Sequence, residues 1–368
     1  MAAWDPNVGS MTYSTRKELG PVGFLNEYQQ YARYPSAELL MSGRFGEDGA
    51  VGKSLTWRIA DDVGDSAPPI HPGYTFQPGQ QADLFQAEMP WTWDHEHCAI
   101  SELAGRLNTG EAQLASDRDL EIQAMLQRII NKCETNLWTV RGPTATEYFQ
   151  GIPYYVNIPG NSTGWTGTNQ GFDGTVPVGH TLVANVEPVS LHPKYRNYAD
   201  VYTSFADASF PLKVSMLMSA IDFHVPSGTD AKYAGGVGSL TMYMGPNTNA
   251  QREMIATQRN DQVGYDSNPA EGKATTFGLK PTIIPILDVL ALSGSWPIYF
   301  INHGDMGLHP VFIKDTRFEH SRTAADMQTS DMKYWEIRWG LQMRCRSRRR
   351  QAGMCVSGYP PFGEVNIS

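Results

Sequence analysis

Cysteine is scarce and unpaired in this chain: Cys98, Cys133, Cys345 and Cys355 are the only four in 368 residues, and no spacing recurs among them. That excludes a disulfide framework built on paired spacing and points to free thiols in a reducing compartment. No apolar run approaches the ~18 residues that a membrane-spanning helix requires. The first residues also lack the basic-then-apolar order of a secretion signal, so the chain is expected to stay in the compartment where it is made, with no membrane partner. Positive charge is in deficit as well. With Lys+Arg at 29 against Asp+Glu at 38, the net charge is −9, which opposes a general nucleic-acid-binding surface, because neutralising phosphates needs a basic field. There is no Gly-x-Ser-x-Gly elbow, no His-Glu-x-x-His and no dinucleotide fingerprint, so no catalytic residue is assigned and an enzyme is not expected. Internal repeats and low-complexity tracts are missing too.

What is present is an ordinary folded composition, 41% hydrophobic and 18% charged, in a chain long enough for two or three packed regions. Glycine and proline together reach about 16% against an average of about 12%. Loops and turns therefore take much of the length, and strands are favoured over a helical bundle. The strongest signal comes late. From Tyr334 to Arg346, Trp335, Ile337, Trp339, Leu341, Met343 and Cys345 alternate with Glu336, Arg338, Gln342, Arg344 and Arg346. A period of two over twelve residues predicts one half-buried strand of about 40 Å, roughly twice the usual length. It runs into a basic cluster, Arg344 to Arg350, and suits a protein that tiles against its own copies.

Earlier elements follow from pattern and punctuation. Residues 1–45 read as an extended arm with one short helix at Pro21 to Arg33. Two strands, Lys53 to Ala60 and Leu84 to His97, flank a tip rich in Pro, Gly and Asp at Asp61 to Gln81. Trp57 lies on the first strand, and Trp91 and Trp93 on the second. A hairpin that long without a core of its own needs a partner. Next comes the best helix: Ser116 and Asp119 resemble a capping box, and Leu120, Ile122, Met125, Leu126, Ile129, Ile130, Cys133 and Leu137 keep helical spacing up to Gly142-Pro143. Residues 160–174 are dominated by Gly, Ser, Thr and Asn. A second helix is predicted at Pro211 to Phe223, and strands at Ser239 to Met244, Phe277 to Leu287, Trp296 to Ile301 and Val311 to Phe318.

Four features invite a binding or catalytic reading, and each has a plainer rival. Gly46 to Ser54 is similar to a phosphate-binding loop, but Glu47 stands where the opening glycine belongs and a strand follows instead of a helix. A plain loop is the better reading. His95 and His97, with Asp94, Glu96 and Cys98, offer metal donors on one strand, yet the second ligand pair of a structural zinc site is missing. A solvated or interfacial strand end fits better, and neither a metal nor any other cofactor is assigned. The arginine run from Arg344 to Arg350 suits phosphate or ion pairs with acidic neighbours in the chain or across a subunit boundary; protein contacts are favoured in an acidic chain. Asp61-Asp62 at the hairpin tip reads by default as a solvated turn.

The order of parts carries more than any motif: arm, long hairpin, long helix, coil-rich middle, closing strands. This order resembles the major capsid proteins of tailed bacteriophages, the Hong Kong 97-type fold. The similarity is carried locally by Trp335 to Ala352 and by Gln86-Ala87-Glu88-Met89-Pro90-Trp91-Thr92-Trp93. The resemblance implies an α+β fold with an N-terminal arm at 1–45, an extended loop at 46–100, a spine helix of the peripheral domain at 101–140, an axial domain at 141–295, peripheral strands at 296–350 and a C-terminal tail at 351–368. It implies a structural protein that self-assembles as hexamers and pentamers into an icosahedral virion shell around double-stranded DNA, formed in the bacterial host cytoplasm. Implied partners are copies of itself, a separate scaffolding protein, since only about 45 residues precede the hairpin, a portal, a decoration protein, and packaged DNA by proximity without sequence-specific binding.

In that setting each contact is weak and many act together. The hairpin and arm are expected to order on docking, burying Trp57, Trp91 and Trp93 against a neighbour, with Arg58, Asp61 and Asp62 fixing register and Arg344, Arg346, Arg348, Arg349 and Arg350 joining the intersubunit contacts. Lys53, near the base of the loop, is not expected to cross-link. Two other classes remain: a phage tail or connector component, which would form tubes or rings, and a coil-rich β enzyme of the carbohydrate-active kind, suggested by 9 Trp and 17 Tyr and requiring two carboxylates across a cleft.

Overall fold

The structure, a computed structural model, describes residues 47–49, 53–60, 84–101, 117–145, 147–159, 171–177, 179–188, 190–203, 209–221, 240–253, 279, 281–290, 296–304, 307–313, 319–321 and 332–356. The expected arm with its short helix, the hairpin tip and Ser116 lie outside the described residues. In chain order the elements are β1 (Glu47–Gly49), β2 (Ser54–Ala60), β3 (Leu84–Pro90), β4 (Thr92–Ser101), α1 (Asp117–Leu137), the one-turn α2 (Ile152–Tyr155), β5 (Gly171–Asp173), β6 (Asn197–Tyr202), α3 (Ser209–Ile221), β7 (Leu240–Met244), β8 (Pro281–Ile283), α4 (Pro285–Leu290), β9 (Ile298–Asn302), β10 (Leu308–Ile313), β11 (Glu319–Ser321), β12 (Met332–Cys345), a 3₁₀ turn (Arg348–Arg350) and β13 (Ala352–Val356).

The strand with the long alternation, β12, organises a five-stranded sheet. Along Met332 to Leu341 it pairs antiparallel with β4. Its opposite neighbours are β11, against residues 336–338, and then β10, against residues 341–345, with β1 parallel beyond β10. The alternation sends Ile337, Trp339, Leu341, Met343 and Cys345 into the core. On α1, Met125, Ile129, Cys133 and Leu137 recur every fourth residue, form one stripe and are buried in the same core. Two ion pairs tie the helix to β4: Arg128 to Glu96 at 3.1 Å and Lys132 to Asp94 at 2.5 Å.

A six-stranded sheet has the order β5-β6-β13-β9-β7-β8. Phe210, Val214, Leu217 and Ile221 of α3 pack against it in a second core with Met242, Met244, Ile298, Phe300 and Met354. Just past α1, Trp138 is fully buried against Tyr243 and Tyr299 of this sheet, with ring centroids 5.3 Å away in each case, so the first core extends from α1 onto the six-stranded sheet.

Four details differ from the sequence reading. The return strand expected over Leu84 to His97 divides at Trp91, because Pro90 brings no N–H to continue the ladder. Before that point β3 pairs with β2, and after it β4 pairs with β12. Residues 298–302, expected among the peripheral strands, lie in the six-stranded sheet. The segment expected as a C-terminal tail begins with β13, an interior strand parallel to β6 and antiparallel to β9. Ala352 to Cys355 are buried on both faces, so the segment shows no alternation. The strand predicted at Phe277 to Leu287 is three residues long, and Pro285 then opens α4.

Candidate assembly interface

Alternation on the hairpin places Leu55, Trp57, Ile59, Ala87 and Met89 on one face, and all are buried, while Arg58 points to solvent. What covers them is the chain itself. Past Leu341, where β4 leaves β12, successive carbonyls of β12 take side-chain donors in place of a strand. Thr92 Oγ1 donates to Leu341 O, the Tyr155 hydroxyl to Met343 O at 2.7 Å, and both the Tyr195 hydroxyl and Trp57 Nε1 to Cys345 O at 3.0 Å. Burial raises the Tyr155 and Tyr195 hydroxyls well above the ordinary tyrosine range, which keeps them protonated as donors. Farther along, Phe85 stacks on His192 at 3.9 Å, and the Glu88 N–H donates to Ala184 O at 3.0 Å. The base of the hairpin is therefore part of the protomer core. The expectation that Trp57 and Trp91 are buried against a neighbour is corrected: both are covered at home, with relative exposures of 6% and 7%.

The arginine run is likewise turned inward. Arg348 is fully buried, and its guanidinium donates to Tyr155 O at 2.7 Å, Tyr195 O at 3.1 Å and Asn197 Oδ1 at 2.9 Å. Five donors in a rigid fork suit this convergence of loop carbonyls. Arg344 contacts His309 Nε2 at 2.5 Å, Arg349 lies over the Phe172 ring at 4.4 Å, and Arg350 is buried. Arg346, half-buried, donates its backbone N–H to Gly307 O at 3.3 Å. Arg344 and Arg348 thus hold loops and strand ends of one protomer together, Arg350 is buried beside them, and the expectation of intersubunit contacts through these three is corrected. The local sequence gave no sign of this, because the acceptors come from α2, β6 and the segment before it. Tyr155 and Tyr195 were missed for the same reason.

Trp93 behaves differently: it is 55% exposed. Along β4, Trp93, His95 and His97 face solvent, while Asp94 and Glu96 turn toward α1 and its two cations. That division separates the donors once considered for a metal. Among the described residues no group of three or more His, Cys, Asp or Glu is placed to hold an ion. In the phosphate-loop candidate, Glu47–Gly49 form β1 and Ser54–Ala60 form β2, so no helix N-terminus follows the glycines. Asp61 and Asp62 lie outside the described residues. A cavity of about 540 Å³ opens between the hairpin base and the loops near Pro143 and Thr181, with Lys53, Glu88, Tyr154 and His180 in its wall. Among the described residues no helix is long and apolar enough to cross a membrane.

No family model matches the chain and no curated protein is similar to it in sequence. Solved structures are similar over nearly the whole length. The capsid protein of cyanophage A-1(L) superposes with a TM-score of 0.56 at 11% identity, covering 92% of this chain and 96% of that one. A capsid chain of a native GTA particle matches at 0.53 and 11% identity over 97% and 100%. The SrpI encapsulin of Synechococcus elongatus matches at 0.53 and 11% identity over 99% and 100%. The chain has the α+β fold of tailed-phage capsid proteins, the Hong Kong 97-type fold.

Proposed function

We propose that this chain is the major capsid protein of a tailed bacteriophage, a structural subunit that assembles as hexamers and pentamers into an icosahedral shell around double-stranded DNA. The observation that carries this reading is the near-complete mutual coverage with capsid chains, 92% and 96% in one case and 97% and 100% in another. Such coverage leaves little of the chain for an added catalytic domain. In this reading the five-stranded sheet with α1 is the peripheral unit and the six-stranded sheet with α3 the axial unit. Trp93 and Arg58 are the described hairpin-side groups that face solvent and would meet neighbours. Scaffolding, portal and decoration proteins are the expected partners, the host cytoplasm the place of assembly, and the virion the destination. Packaged DNA would lie against the shell without sequence-specific binding, as suits a chain of net charge −9.

The encapsulin match, at 99% and 100% coverage, supports a second reading: a closed shell without a packaged genome. Electron microscopy of the protein expressed alone and with its neighbouring genes separates these readings. Closed shells are expected, with nuclease-protected DNA when the packaging genes are present. Tubes or rings would favour a tail or connector component. A protein that stays monomeric under every assembly condition would overturn the proposal.

A further inference from the structure

Among the described residues, the face of the five-stranded sheet turned away from α1 gathers solvent-facing groups from β4 and β12. In the register of β4 with β12, His97 lies opposite Glu336, His95 opposite Arg338 and Trp93 opposite Gly340, and residues directly opposite share a face. Glu336 and Arg338 are two positions apart on one strand, so they project side by side and pair at 2.7 Å, with the Arg338 side chain 63% exposed. At Gly340 a Cβ would run into the Ile313 side chain; the glycine lets Ile313 lie close to the strand beside the exposed Trp93. The result is one large aromatic, two imidazoles, one cation and one anion on a sheet surface.

We infer that this face docks on the same face of a second copy about a two-fold axis lying between the two sheets. Charge complementarity selects that occupant. A two-fold axis across β12 near Ile337 sets Arg338 of each copy over Glu336 of the other, so one cation and one anion satisfy both sides at once. Trp93, opposite Gly340 and a few residues from the axis, then leaves water within the contact, where a large aromatic ring contributes most when it is desolvated. The choice of a second copy as occupant rests on the shell reading; the geometry of the pairing does not.

The test uses the full-length chain with Arg338→Glu, Glu336→Arg and Trp93→Lys, each checked for native circular dichroism and followed by mass photometry and electron microscopy. Arg338→Glu and Glu336→Arg each set like charges opposite one another in a symmetric pair, and each is expected to weaken pairing about tenfold or more. Mixing these two variants puts two glutamates opposite two arginines and is expected to restore pairing. The restoration discriminates between the possibilities, because the pair within each copy is broken in both variants and cannot supply it. Trp93→Lys is expected to lower association without unfolding the protomer. If the single variants and Trp93→Lys associate as wild type does, or if the mixture is no better than its components, the inference is overturned even when shells form. If wild type forms two-fold pairs that obey the mixing rule yet never closes into shells, the inference stands and the shell reading fails.

Discussion

The two ends of β12 were written in the same alternating pattern but live in different surroundings. In its last residues and the turn beyond, from Leu341 to Arg350, carbonyls are met by Thr92, Tyr155, Tyr195 and Trp57, and Arg348 is buried with three acceptors. In the first half, Arg338 stands largely in water beside an exposed Trp93. Arginine and tryptophan therefore serve as internal ties at one end and stand in solvent at the other. The residue type does not decide which; the presence of a second layer does.

The largest effect is expected at the buried end. Arg348→Ala removes three hydrogen bonds and takes the guanidinium donor from the buried Tyr155 and Tyr195 carbonyls, while Asn197 Oδ1 keeps the Asn157 N–H; the loss is on the order of 5 kcal/mol, comparable with the whole stability of many domains. Denaturant titration of the unassembled protomer should show it, and Arg348→Lys should recover little, since an ammonium cannot reproduce the planar fork. Trp57→Ala should cost about 4 kcal/mol from lost burial and a cavity, again in the unassembled protomer. If Trp57 belonged to an interface, that measurement would show no change.

A third expectation concerns the joint beside the buried end. His303 follows β9 and precedes β10, and its Nδ1–H donates to Leu308 O at 2.8 Å while Nε2 accepts from the Tyr243 hydroxyl at 2.8 Å. Burial pushes its pKa down from 6.5 to about 4. A depressed value means that the unfolded chain binds the proton first, so the neutral ring contributes stability that is full above about pH 6.5 and is lost as pH falls toward 4. Asp288, whose carboxylate accepts from the Asn247 N–H at 2.8 Å, is pushed by burial from 3.8 up to about 6 and works in the opposite sense. Its contribution is full below about pH 3.8 and disappears as pH rises through 6. The two slopes oppose each other between pH 4 and 6. Asp288→Asn should therefore lose more stability than wild type does on going from pH 6.5 to 4, by about 1–2 kcal/mol once the partial exposure of the carboxyl is allowed for, as read from paired denaturation curves. The smallest effect is expected at the open end: Trp93→Ser should change protomer stability by no more than about 0.5 kcal/mol while altering association.

Much of the fold was legible because periodicity is a local property. The alternation from Trp335 to Cys345 and the four-residue recurrence of Met125, Ile129, Cys133 and Leu137 each specify an element and its inner face. What covers that face is not local. Trp57 was read as an orphan because its hairpin has no core of its own, yet the acceptor of its N–H is Cys345, 288 positions away. Arg348 sits in a run that reads as charge for phosphate or for acidic partners until α2 and β6 bring carbonyls around it. β13 escaped for a related reason: a short strand buried on both faces has no alternation to mark it.

The account turns on which tryptophans the protomer covers by itself, and hydroxyl-radical footprinting with mass spectrometry reads that directly on unassembled and assembled protein. Trp57 and Trp91 should be protected in both forms, whereas Trp93 should be oxidised in the free protomer and shielded after assembly. Oxidation of Trp57 or Trp91 in the free protomer at the rate of Trp93 would contradict it.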